Sequence, residues 1–212
     1  MPAQVSLPIF PLPDLTFFPH TMLPLHIFEA RYRAMITDCL SRDRRLAVVG
    51  LLPGYEASYE GKPAVHAVCG VGRIVRWERL ASGRFNLLLR GEGRVRIDRE
   101  LPTDTLYRMV AATPLAETGA DGAAVAALGA RVKARCQQIL SALGRSTEDL
   151  ATMMEGLDQP AALCDQVASA LIPTPATRQA LLEELDVERR LERLVDALDT
   201  LLSQLTGEGG RA

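Results

Sequence analysis

Lysine is almost missing from this chain of 212 residues: of its 24 basic residues only Lys62 and Lys133 carry an amine. That scarcity excludes a nucleotide-hydrolysing phosphate loop, in which G-x-x-x-x-G-K-[ST] cradles phosphate in backbone amides and the Lys reaches the terminal phosphates. Lys62 follows Gly61 but precedes Pro63, with Glu56 where the first glycine belongs, and Lys133 follows Val132. No G-x-S-x-G elbow is present to expose a nucleophilic serine. Histidine is sparse as well. His20 and His26 flank an apolar loop and His66 lies on an expected strand; without a third ligand nearby they read as residues with satisfied hydrogen bonds. Cys39, Cys69, Cys136 and Cys164 are scattered with no C-x-x-C, which argues for reduced, buried thiols and against a zinc site. No metal and no cofactor is expected.

Aromatic residues make up 5% of the chain and the net charge is −2, so neither a base-stacking platform nor a strongly polyanion-seeking surface is implied by composition. The hydrophobic share of 48% is enough for a real core in one or two domains.

What is present begins with proline. Positions 2, 8, 11, 13, 19 and 24 are all Pro, and each fixes φ and removes a backbone donor. No continuous helix can form there, which excludes a signal peptide or a membrane span in this stretch. The segment reads as an edge strand followed by a long apolar loop carrying Phe17, Phe18, Met22 and Leu23. From Ile27 the pattern turns helical, with Phe28, Tyr32, Met35, Ile36, Cys39 and Leu40 on one face of a 3.6-residue period.

Period-two alternation follows. The apolar run 46–52 ends at Pro53-Gly54 and reads as a buried strand; Tyr55 to Pro63 reads as a loop. Further strands are expected at Val65 to Val71, Phe85 to Leu89, Val95 to Ile97 and Tyr107 to Leu115, with a hairpin turn at Ala81-Ser82-Gly83. Gly70, Gly72, Gly91 and Gly93 form two G-x-G pairs without the third glycine and helix of a dinucleotide site. They fit bulges or corners of a sheet curling into an antiparallel barrel. A polar linker, ETGADG at 117–122, precedes a helical region. Helices are expected from about Val125 to Gly144, from Thr147 to Glu155, from Pro160, from Pro175 to Leu185, and from an Asp186 cap to about Leu205. In the last of these, Leu191, Leu194, Leu198, Leu201 and Leu205 form a stripe that, widened by Val195 and Leu202, fits a bundle core better than a coiled-coil seam.

Three runs occur in order: LPIFPLPDLTFFPHTMLPLHIFEARYRAM at the start, GVGRIVRWERLASGRFNLLLRGEGRVRID in the middle and LCDQVASALIPTPATRQALLEELDVERRLERLVDAL near the end. Together they resemble the N-terminal, substrate-binding domain of ATP-dependent Lon proteases over most of positions 5 to 200. His20 stands where that family often has Gly, and Ala30 where it often has Pro. The resemblance implies an α+β fold: a PUA-like antiparallel β pseudobarrel with one early helix over 1–118, a C-terminal helical bundle over 119–206, and a disordered tail at 207–212. Glu29, Arg31 and Tyr32 match the family's helix start and are expected to tie that helix to the barrel. It also implies a non-catalytic, cytoplasmic module, standing alone, that recognises unfolded or damaged polypeptide. The ATPase and Ser-Lys protease parts of the family have no counterpart in these residues. Phe17, Phe18, Met22 and Leu23, with a groove between the lobes, form the expected substrate-binding surface. A protease or chaperone ATPase as partner, and self-association, stay open; no membrane is expected.

The rival reading is a PUA-like nucleic-acid binder using the strands at 73–108, where nine Arg face five acids and Arg94 and Arg96 are expected to point outward. Trp77 and Tyr107 are the available platforms, few enough that a solvated strand face is the preferred account and nucleic acid is not expected as a partner.

Overall fold

The computed structural model describes residues 3–58, 61–145 and 159–207. Its backbone divides into two compact units, Met1–Ala116 and Glu117–Ala212. The helix expected at 147–155 and the tail 208–212 lie outside the described residues.

The first unit contains β1 (Val5–Leu12), β2 (Met22–Ile27), α1 (Ala30–Leu40), β3 (Arg45–Gly50), a 3₁₀ turn (Tyr55–Ser58), β4 (Val68–Arg79), β5 (Phe85–Leu101) and β6 (Met109–Leu115). The strands run in the order β2-β5-β4-β3-β1-β6, and β6 also pairs with β5, so the sheet closes on itself through five strands. Two findings correct the sequence reading. β1 and β3 pair in parallel, Ile9 opposite Ala47, because β2 and α1 intervene and return the chain to the edge from which β1 started. And β5 is one strand of 17 residues rather than two. Its first half holds β2, its second half holds β6, and β4 runs beside both. Register shifts at Val71/Gly72, Ile74/Arg76 and Ile97/Arg99 supply the bending that lets so long a strand serve both.

Period-two alternation divides the apolar residues between two cores. Leu7, Ile9, Ala47, Val49, Cys69, Val95, Val110 and Ala112 fill the closed sheet. Phe10, Ile27, Leu46, Val48, Ile74, Phe85, Leu87 and Leu89 meet Tyr32, Met35, Ile36 and Cys39 of α1. Tyr32 stacks edge-on against Phe10 at 4.5 Å between ring centroids. Arg31 lies over the Tyr32 ring and pairs with Glu29 at 2.9 Å. The helix-start residues thus fasten α1 to β1.

The second unit contains α2 (Ala123–Ala142), α3 (Pro160–Leu171), α4 (Pro175–Glu183) and α5 (Val187–Thr206). Pro160 and Pro175 open their helices where a missing N–H costs nothing. Gly144 takes φ +68 after α2. Asp186 caps α5, its carboxylate accepting from the Arg189 N–H at 3.0 Å. Leu191, Leu194, Val195 and Leu198 are buried among the helices, while Leu205 is exposed. The polar linker at 117–122 is fixed at its start: the Thr118 N–H donates to the Leu185 carbonyl, and the Val187 N–H donates to the Thr118 carbonyl. Beside it Arg190 is fully buried, bonded to the Glu117 carboxylate and to the Glu184 carbonyl, with Asp165 3.8 Å away.

Among the described residues no helix is long and apolar enough to cross a membrane.

Candidate functional site

The proline-rich opening folds as a strand, a crossing and a second strand. After β1 the chain passes over the sheet at Phe17-Phe18-Pro19 and returns as β2. The crossing is possible because of the glycines on β4 and β5. A β-carbon on Gly70 would lie 2.0 Å from the Phe17 carbonyl oxygen, and one on Gly91 would lie 2.1 Å from that of Phe18. Gly72 lies under the Phe17 ring, where a β-carbon would come within 2.7 Å of the ring edge. The glycines therefore serve close approach as well as the bulge beside Gly72. Gly91 also clamps the crossing, donating to the Thr21 carbonyl at 2.8 Å and accepting from the His20 N–H at 3.1 Å. His20 takes φ +60 to make that turn, a left-handed conformation that glycine adopts more easily.

This arrangement corrects the surface expected from sequence. Phe17 and Phe18 are 2% and 0% exposed, because the glycine corridor lets their backbone sink onto the sheet and the rings follow it inward. Met22 and Leu23 belong to β2, an edge strand, rather than to a loop. Alternation there turns Leu23, Leu25 and Ile27 toward the core and Met22, Pro24 and His26 outward. Of the four residues singled out, Met22 alone presents its side chain to solvent, at 51% exposure. Phe28, which the periodicity assigned to the buried face of α1, is instead 59% exposed. It precedes the helix, whose N-cap is Glu29. His26 bonds Asn86 at 2.7 Å and stacks on Phe28 with centroids 6.4 Å apart, as an ordinary satisfied histidine does.

The same unit holds a cavity of about 370 Å³. Ile9, Tyr32, Leu51 and Leu101 supply apolar walls, and Arg31 and Arg108 also line it. Arg108 is held by the Glu100 carboxylate and the Pro63 carbonyl. Its volume falls within the range of small-ligand and side-chain pockets.

The arginines of 73–108 are less free than their number suggests. Arg94 is buried at 2% exposure, not outward-facing, since the closing turn of the sheet encloses its position along with Val95. Arg96 pairs with Asp98 and Arg108 with Glu100. Arg44 covers the Trp77 ring at 4.5 Å, and Tyr107 is buried. Both expected stacking platforms are therefore occupied or enclosed. Glu92 gathers Arg45 at 2.9 Å, Arg73 at 2.8 Å and Arg90 at 3.8 Å. Partial burial works against its charged form, but the hydrogen bond from Arg73 and the charges of Arg45 and Arg73 outweigh it, holding the carboxyl below its usual range.

The cysteines are all free and buried, and burial pushes the thiols of Cys39, Cys69 and Cys136 up to about 12, far from the thiolate that nucleophilic chemistry needs. No group of His, Cys, Asp and Glu able to hold a metal ion occurs among the described residues.

Comparison with known proteins agrees with this architecture. The profile of the ATP-dependent protease La (LON) substrate-binding domain matches residues 6–200. The Lon protease of Xanthomonas oryzae pv. oryzae is 25% identical over 201 residues, covering 93% of this chain and 23% of the relative. Lon protease 2 of Sorangium cellulosum is 26% identical over 200 residues, covering 93% of this chain and 25% of the relative. The chain thus spans about a quarter of the length of the curated relatives it matches. Among solved structures, the N-terminal domain of Mycobacterium avium complex Lon protease superposes with a TM-score of 0.73 at 22% identity, over 92% of this chain and 98% of that one. A Lon N-terminal domain protein from Xanthomonas campestris gives 0.65 at 26% identity, over 91% and 98%. A match running through nearly the whole of both units makes this chain a member of the LON substrate-binding domain family.

Proposed function

We propose that this protein is a non-catalytic binding module for unfolded or damaged polypeptide, built as a PUA-like pseudobarrel over 1–118 and a helical bundle over 119–206. The observation that carries the reading is the exposed side of β2 and its exit toward α1, where Met22 on the strand and Phe28 just after it stand open in a chain of the LON substrate-binding family. Large apolar side chains in water on and beside an edge strand are suited to meeting apolar segments of a client, and unfolded clients expose such segments. Leu23 supports Met22 from the inner face, and Phe17 and Phe18 hold the crossing that sets β2 in place. The cavity walled by Ile9, Tyr32 and Leu101 offers a recess for a client side chain. The buried, protonated thiols fit a binding role without thiol chemistry, and a protease or chaperone ATPase is the class of machine such a module would serve. Four free cysteines fit a reducing compartment such as the cytoplasm.

Fluorescence anisotropy with unfolded casein tests the reading. Wild-type protein is expected to bind, and Met22→Ser with Phe28→Ser is expected to weaken binding about tenfold, since each loses a buried apolar contact, with an unchanged thermal melt. Full affinity in the double variant removes β2 from the site. Binding of single-stranded RNA in preference to casein, falling steeply with salt, replaces the reading with nucleic-acid recognition.

A further inference from the structure

Met22, Arg90, Arg73 and Arg45 lie in one row across four adjacent strands: Met22 is opposite Arg90, Arg90 opposite Arg73, and Arg73 opposite Arg45. Directly opposed residues share a face and sit within reach of one another, and like charges so placed repel. Three arginines in such a row are costly unless anions lie among them. The row has two acids. Glu92 is the hub described above, and Asp43 lends its carbonyl to Arg73 and its carboxylate to the Arg45 N–H. Neither satisfies the whole row. Three guanidinium groups present about fifteen N–H donors, and Glu92 engages Arg45 and Arg73 through one nitrogen each. Arg90, beside Met22, meets Glu92 only at 3.8 Å and keeps a side chain 56% exposed. On the same face, one step along the strands, exposed Arg76 stands opposite Leu88, which stands opposite Pro24. Glu78, opposite Asn86, bounds the patch at its far end.

Building on the client-binding reading above, we propose that this face reads an acidic stretch of the polypeptide client next to an apolar residue: the apolar residue lies on Met22 and Pro24, and the carboxylates take Arg90, Arg73 and Arg76. Glu92 fills the row when no client is bound and yields part of it to the incoming carboxylates. The neighbours of the arginines here are Met, Pro and Leu, not flat rings open for stacking, so a peptide fits the face better than an oligonucleotide.

The test uses the full chain and two fluorescent peptides, a leucine pair followed by a run of glutamates and its counterpart with glutamines, alongside a single-stranded oligonucleotide of similar length. The glutamate peptide is expected to bind about tenfold more tightly than the glutamine peptide at low salt, with the margin shrinking as salt screens exposed charges. Arg90→Gln with Arg76→Gln is expected to erase that margin while leaving the glutamine peptide unaffected. Glu92→Gln is expected to raise glutamate-peptide affinity severalfold. Arg90→Glu, at a residue with no tight partner, gives a charge reversal that spares the fold and is expected to invert the preference; a thermal melt confirms folding. Equal binding of both peptides overturns the acidic subsite but leaves the apolar client reading standing. Binding of neither peptide overturns both, and preference for the oligonucleotide makes the row a phosphate site instead.

Discussion

The carbonyl oxygen of Phe18 lies over Gly91, 2.1 Å from where a β-carbon on that residue would stand, while Gly91 hydrogen-bonds Thr21 and His20 on either side of it. One backbone is thus laid directly on another, and only hydrogen at Gly91 leaves room. Gly91→Ala is expected to destabilise the fold by about 3 kcal/mol or more, the upper end of overpacking costs, because the obstacle is backbone and not a flexible side chain. Gly93→Ala, whose β-carbon meets nothing nearer than 3.8 Å, is expected to cost less than about 1 kcal/mol. Urea denaturation of the two variants checks the contrast; equal losses would show that the crossing does not depend on Gly91.

Tyr107 and Asp38 are 69 positions apart, yet the phenol donates to the carboxylate at 2.6 Å, joining the bend that leads into β6 to α1. Burial and that hydrogen bond push the phenol up to about 12 from its ordinary 10. A raised folded value means that the contribution to stability is whole below pH 10 and is lost as pH rises through 12. Tyr107→Phe is expected to cost about 1.5 kcal/mol at neutral pH. Following tyrosinate absorbance with pH is expected to show a late step that Tyr107→Phe removes.

Glu92 has the opposite sign. Its folded value lies below the ordinary 4.5, so its stabilisation is present above that pH and fades as pH falls through the depressed value. Glu92 is itself partly buried, but its arginine partners are well exposed and solvent screens the pairs, so the effect on stability is small. Glu92→Gln is expected to melt slightly below wild type at neutral pH, with the gap closing on acidification below 4.5. A gap that widens in acid contradicts the assignment.

Arg190 puts a charge in the interior of the helical unit beside Asp165, with both side chains 0% exposed, and reaches out to Glu117. Arg190→Met takes the guanidinium away from a buried carboxylate and is expected to cost about 3 kcal/mol or more, while adding Asp165→Leu is expected to recover much of the loss. Glu117→Gln tests the link to the first residue of the unit and is expected to cost about 1 kcal/mol. Chemical denaturation of the series gives the values.

Much of this architecture is written in local patterns. The Asp186 cap, the helix-opening Pro160 and Pro175, the left-handed Gly144 and the alternating apolar residues of β4 to β6 are each set by neighbours in sequence. Features that depend on distant partners were not legible. Nothing near Phe17 and Phe18 announces the glycines beneath them, which lie more than fifty positions away, so two apolar rings in a proline-rich segment read as an open loop. The parallel β1–β3 pair and the burial of Arg94 come from closure of the sheet, which periodicity does not report. Met22 reads as part of the same apolar loop, and its outward direction follows only from the alternation of β2, a strand the prolines conceal; Phe28 reads as helical because the 3.6-residue period extends back across Glu29.

The ring of strands joins its first member to its last, Val5 to Ala112 and Pro8 to Met109. During synthesis the opening strand therefore waits for more than a hundred further residues, about 5 to 20 s at ordinary elongation rates. Through that interval Leu7 and Ile9 have no lasting shelter. A ribosome stalled just before Met109 would hold a chain that cannot complete its own wall, making this protein a candidate for early chaperone capture on the ribosome.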